Sequence, residues 1–234
     1  MGHTFLISVF IAALPLKPIK PYEGVDLGAP ATAKKEHAGL QWPHARRSIR
    51  FPPALVREVR CGMSIITAEA IRTDRLLLLP LRVDHAEETA AVLSDPDLHT
   101  FIGGSPAGVD ALRSRYQRML AGSPDPAVSW CNWVILLQER ECLTGTVQAT
   151  IAPSADGLVA EIAWVVGTPW QRRGIAGEAA RGLVAWLGGK PVRSVIAHIH
   201  PDHEASAAVA TTAGLTPTDQ WQDGEIRWRL DLER

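Results

Sequence analysis

The chain has 234 residues, with 24 basic and 25 acidic side chains and a formal net charge of −1. So even a balance excludes the basic excess of a nucleic-acid binder, and the length suits one domain with an appendage. Three cysteines, Cys61, Cys131 and Cys142, stand at neither disulfide nor metal spacing, which predicts a reduced, cytoplasmic protein.

Residues 1–62 read as a separate object. Phe5 to Leu16, FLISVFIAALPL, is an apolar run of twelve, too short to cross a bilayer. No Lys or Arg precedes it and no A-x-A site follows closely, so it does not have the form of a signal peptide. Seven prolines between Pro15 and Pro53 predict a disordered or loosely packed arm. Met63 opens a segment with the pattern of a complete domain, 63–234, and translation starting there would leave residues 1–62 out of the native protein.

Leu76 to Leu81, LLLLPL, follows Arg72-Thr73-Asp74-Arg75 and predicts a first strand. Asp84 to Leu93 is amphipathic behind an acidic cap, and Val109 to Leu120 fits a second helix. The stretch between them, Phe101-Ile102-Gly103-Gly104-Ser105-Pro106, reads as a loop. Trp130 to Leu137 and Leu143 to Ile151 form a predicted hairpin around the charged turn Gln138 to Glu141. Trp130, Trp133 and Trp164 fall in strand-like runs and are assigned to the core, with Trp170 as core or rim.

After a turn at Pro153 to Gly157, Val159 to Val166 predicts a fourth, buried strand. Gly167-Thr168-Pro169 breaks it, and Gln171-Arg172-Arg173-Gly174-Ile175-Ala176 leads into a helix rich in Ala, Leu and Val. Strand, basic glycine-containing loop and helix together aim unpaired N–H groups and a helix dipole at one point, where a phosphate would satisfy them. Gly174 allows the turn, Ala176 and Gly177 keep bulk away, and Arg172 and Arg173 add charge. Arg193 to Ile199 predicts a fifth strand, Glu204 to Ala213 a last helix ended by Gly214, and Ile226 to Leu230 a final strand.

Four of these stretches carry a resemblance. Gln171 to Ala176 resembles the Q/R-x-x-G-x-G/A acyl-CoA pyrophosphate loop of the GNAT N-acetyltransferases. TDRLLLLPLRVDHAEE is similar to the opening of that family's ribosomal-protein N-acetyltransferase branch, and Leu143-Thr144-Gly145-Thr146-Val147 to its third strand. HEASAAVATTAGL resembles its Asn-x-x-Ser…Gly-Phe segment, with Ser206 at the serine position, His203 in place of Asn and Leu215 in place of Phe. The likeness runs over residues 70 to 234.

It implies an α/β (α+β) GNAT fold: a mixed, mostly antiparallel sheet flanked by helices and splayed at strands 4 and 5. It implies direct transfer of an acetyl group from acetyl-CoA to a primary amine, either a protein N-terminus or a small molecule. The pyrophosphate would lie on the N–H groups of Arg172, Arg173, Gly174, Ile175, Ala176 and Gly177, beside Gln171. The pantetheine arm would pair with Trp164, Val165 and Val166, and an N–H of Val165 or Val166 would hold the thioester oxygen. The 101–106 loop would be an acceptor lid. Glu161 and His198 are the candidate bases. The usual tyrosine acid maps to Ala210, leaving Ser206 or water to protonate the thiolate. A rival reading is an acyl-CoA sensor or scaffold of the same fold without transfer. A monomer or homodimer is expected, with no membrane or nucleic-acid partner.

His198-Ile199-His200-Pro201-Asp202-His203 also resembles the H-x-H-x-D-H ligand motif of metallo-β-lactamase-like hydrolases. That fold places the motif early and takes later histidines as ligands. Here no histidine follows His203, so no metal is expected.

Overall fold

The computed structural model describes residues 65–232. The expectations for residues 1–62, the apolar run and the proline-rich arm, lie outside the described residues.

One eight-stranded sheet organises the chain. Its strands are β1 (Ile71–Arg72), β2 (Leu76–Pro80), β3 (Ser129–Leu137), β4 (Cys142–Ser154), β5 (Gly157–Val166), β6 (Val192–Ile199), β7 (Thr216–Gln222) and β8 (Glu225–Asp231), in the order β1-β2-β3-β4-β5-β6-β8-β7. Every adjacent pair is antiparallel except β5 and β6. A parallel pair needs a crossover, and α4 (Ile175–Gly188) supplies it.

Strand alternation sends side chains to two different cores. Val147, Ala149, Ile151, Ala160, Ile162, Val195, Ala197 and Ile199 pack against α4, whose Ile175, Ala179, Leu183 and Leu187 recur every fourth residue along one stripe. Helix α5 (Glu204–Thr212) joins this side through Ala210. On the other face Leu81, Val134 and Leu143 meet α1 (Ala86–Val92) and α3 (Val109–Leu120) through Ala86, Leu112, Tyr116 and Met119. Trp133 is fully buried, its indole N–H donating to the Glu69 carbonyl at 2.7 Å; Trp130 and Trp164 are half-buried.

The six predicted strands are present, and two more appear. β1 has only two residues, and β7, TPTDQWQ, is an exposed edge with no buried residue, so neither carries a hydrophobic period. The helix predicted from Asp84 begins with a 3-10 turn at Val83–His85 before α1. A short helix α2 (His99–Ile102) occupies the start of the stretch read as a loop.

The feature that matters for function lies between β5 and β6. Their pairing runs from Leu158–Val192 to Glu161–Ile196. Beyond it β5 stays with β4 as far as Val166, and β6 stays with β8 as far as Ile199. The strands therefore part, as expected for strands 4 and 5, and leave a wedge open inside the sheet.

Candidate active site

One wall of the wedge is the unpaired edge of β5. The Gly167 N–H donates to the Thr144 carbonyl at 2.9 Å. Strand alternation then turns the backbone groups of Val165 towards β4, and those of Trp164 and Val166 towards the gap. The Val166 carbonyl there already receives the Gln171 side-chain amide at 3.1 Å. β4 lies so close that a Cβ at Gly145 would collide with the Val165 carbonyl oxygen.

The basic loop stands at the end of this wall. A 3-10 turn over Thr168–Trp170 is followed by extended Gln171, then Arg172 at φ 59° and Gly174 at φ 76°. Left-handed residues in such a turn point successive N–H groups into one concavity. The Glu178 N–H bonds the Gly174 carbonyl at 3.0 Å. Ahead of it, the N–H groups of Arg172 to Gly177 have no acceptor among the described residues. Gln171, Arg172, Arg173 and Gly174 are exposed and Ala176 is half-buried, whereas the Ile175 side chain belongs to the core. Gly177 is buried because a Cβ there would stand 3.0 Å from the Thr212 methyl group on α5. Its smallness serves the packing of α4 on α5. The Arg173 guanidinium lies 5.1 Å from the Trp170 ring centroid, a cation–π contact at the rim.

The polar groups gather on the sheet face opposite α4. His198 Nδ1 and Glu161 Oε1 are 2.8 Å apart, and Arg227 Nε donates to His198 Nε2 at 3.3 Å. A guanidinium only donates, so Nε2 carries the lone pair and the ring proton sits on Nδ1, donated to Glu161. The His198 side chain is 3% exposed and that of Glu161 36%, so only the carboxylate faces solvent. Arg227 is held in turn by Gln220 Oε1 at 2.7 Å.

Glu225, at the start of β8, carries no signal in the sequence. It is 1% exposed, and neither carboxylate oxygen has a partner among the described residues. Burial pushes its carboxyl up to about 7, and the nearby Glu161 and Asp223 carboxylates push it the same way. Nothing in GEIRW distinguishes this glutamate from a solvated turn residue. The His198 pairing across β6 and β8 is what brings it into the cluster.

Ser206 lies in the first turn of α5, half-buried, its N–H on the His203 carbonyl at 3.0 Å. The His203 ring packs on Phe101 of α2, centroids 4.1 Å apart, which ties the predicted lid to the start of α5. Within the 198–203 motif His198 turns to Glu161, whereas His200 and His203 both lie against Phe101. Among the described residues no three His, Cys, Asp or Glu side chains are grouped to hold a metal. No helix among them is long and apolar enough to cross a membrane.

Residues 75–216 match the family model described as the acetyltransferase (GNAT) domain, more than half of the chain. The chain belongs to the GNAT acetyltransferases. Solved structures agree in fold. An acetyltransferase of this family from Bacillus anthracis is 18% identical, with a TM-score of 0.59 over 71% of this chain and 100% of that one. A ribosomal-protein-S5-alanine acetyltransferase from Vibrio fischeri is 12% identical, with a TM-score of 0.55 over 70% and 97%. A spermidine N-acetyltransferase from Vibrio cholerae, solved with CoA and spermine, is 13% identical, with a TM-score of 0.56 over 68% and 97%. No curated protein matches the chain in sequence.

Proposed function

We propose that this GNAT acetyltransferase moves the acetyl group of acetyl-CoA to a primary amine by direct attack. The observation that carries the reading is the open wedge between β5 and β6, with the N–H-lined loop of Arg172–Gly177 at its end. The diphosphate sits on those N–H groups and the Arg172 and Arg173 side chains. The pantetheine arm pairs along Trp164–Val166. Of the two expected oxyanion donors, Val166 N–H faces the gap, so it is assigned to the thioester oxygen.

Glu161 takes the ammonium proton of the acceptor. Its exposure gives an amine access, and the Nδ1–H of His198 fixes its orientation. Both ring nitrogens of His198 are engaged, so this residue is assigned to holding Glu161. The freed amine attacks the carbonyl carbon, the C–S bond breaks, and the second amine proton passes to the departing thiolate through Ser206 or water. Glu225 is a second candidate base, favoured by its unpartnered carboxyl near neutral pKa but set back by its burial. The relatives include acetyltransferases of a ribosomal protein and of spermidine. Both acceptor classes, protein N-terminus and small amine, are therefore carried forward.

The test is calorimetric titration of acetyl-CoA into the full chain and into Gly174→Asp. Micromolar binding that the substitution abolishes is the expected result. A folded wild-type chain that does not bind acetyl-CoA overturns the reading. A binding chain that transfers acetyl to no member of a panel of polyamines and N-terminal peptides favours the sensor reading.

A further inference from the structure

The Thr73-Asp74-Arg75 turn between β1 and β2 has no part in the site described above, yet its Arg75 side chain ends at the diphosphate loop. Glu178, in the first turn of α4, is buried and saturated from that turn. It accepts the Thr73 hydroxyl at 2.6 Å, the Arg75 backbone N–H at 2.8 Å, Arg75 Nε at 2.8 Å and Arg75 Nη2 at 2.7 Å. The same guanidinium sends Nη1 and Nη2 to the Arg173 carbonyl, both at 3.2 Å. Gly182 lets α4 approach, because a Cβ there would come within 2.7 Å of the Thr73 methyl group.

The consequence follows from peptide geometry. In a planar trans peptide the C=O of one residue and the N–H of the next point in opposite directions. Fixing the Arg173 carbonyl on Arg75 therefore aims the Gly174 N–H away from Arg75, to the other side of the loop. Gly174 is left-handed at φ 76° and carries no side chain, so the 173–174 peptide can flip at small steric cost. A flipped peptide would present a carbonyl oxygen to the diphosphate where a donor is needed. Glu178 is also a negative charge one turn from the anion. Burial raises its carboxyl, but the Thr73 and Arg75 hydrogen bonds outweigh that and hold it below the usual range.

We propose that Arg75 is a positioning residue for cofactor binding: held by Glu178, its guanidinium locks the 173–174 peptide so that the Gly174 N–H faces the diphosphate. This rests on the assignment of the loop to acetyl-CoA.

The test compares the full chain with Arg75→Gln/Glu178→Gln, which removes the lock without leaving a buried charge unpaired. Affinities for acetyl-CoA and for S-acetylpantetheine, which lacks the diphosphate, are measured beside thermal melting. The expected result is acetyl-CoA binding weaker by about tenfold to a hundredfold, with S-acetylpantetheine binding unchanged. Retained acetyl-CoA affinity, or an equal loss for both ligands, overturns the role of Arg75. Arg75→Lys, which cannot fork to both Glu178 and Arg173, should recover little. A wild-type chain that binds neither ligand overturns the cofactor reading itself, an outcome distinct from either of these.

Discussion

Glu161 and His198 are joined at 2.8 Å across the point where β5 and β6 separate. Glu161 is the last β5 residue paired with β6, opposite Ile196, and His198 is two residues further along the diverging strand. The bond joins the strands just past their last pair and leaves the carboxylate partly exposed to solvent. Glu161→Gln should lower turnover about 100-fold or more, the range of a lost general base, with acetyl-CoA affinity within about twofold of wild type by calorimetry. His198→Asn should cost less, because it loosens the carboxylate without removing it. Equal turnover in Glu161→Gln and wild type would move the base to Glu225.

Ser206→Ala separates the two routes for the thiolate proton. If the hydroxyl donates, turnover falls about tenfold while the Kd for acetyl-CoA holds. If water protonates the thiolate, turnover is unchanged. Single-turnover kinetics with an acceptor from the panel measure the difference.

Gly145 is required by the approach of β4 to β5. Its missing side chain leaves room for the Val165 carbonyl, and the strands at this point form the wall of the wedge. Gly145→Ala must push backbone apart, since a carbonyl in a sheet has no rotamer to escape into. A loss of about 2 kcal/mol and roughly 5 °C in melting temperature is expected. Binding of acetyl-CoA should weaken with it, because the displaced strand carries Trp164 and Val166.

The sheet's core strands and the basic loop were legible in the sequence because each obeys a local rule. Val159–Val166 is a continuous apolar run, and Gln171–Ala176 places a glycine where the backbone turns left-handed. The edge strand β7 was not legible, since an exposed strand such as TPTDQWQ leaves no alternation to read. The polar cluster was legible only as isolated letters. Glu161 and His198 are 37 residues apart, and Glu225 joins them only through the register of β6 on β8. The Arg75–Glu178 lock spans 103 residues. The TDR turn was visible as part of an opening strand, but its partner was not, because long-range pairing leaves no periodic trace in the chain.

Glu225 makes a pH-dependent contribution to stability whose sign is fixed by the direction of its shift. Its carboxyl rises from an ordinary 4.5 to about 7 in the folded chain. Between those values the native state holds a proton that the unfolded state has released, so stability falls as pH rises through that window. The full fall is on the order of 3 kcal/mol, most of it spent in deprotonating a carboxyl that nothing satisfies. Glu225→Gln keeps the shape and removes the titration. His85 and His203, whose burial lowers their affinity for protons, act in the opposite sense and destabilise as pH falls. They are present in both proteins and cancel in the difference. Wild type and Glu225→Gln should therefore melt close together at pH 5, with the variant melting higher by several degrees at pH 8. A difference that stays constant from pH 5 to pH 8 would mean that Glu225 finds a partner in solution and titrates as an ordinary carboxylate.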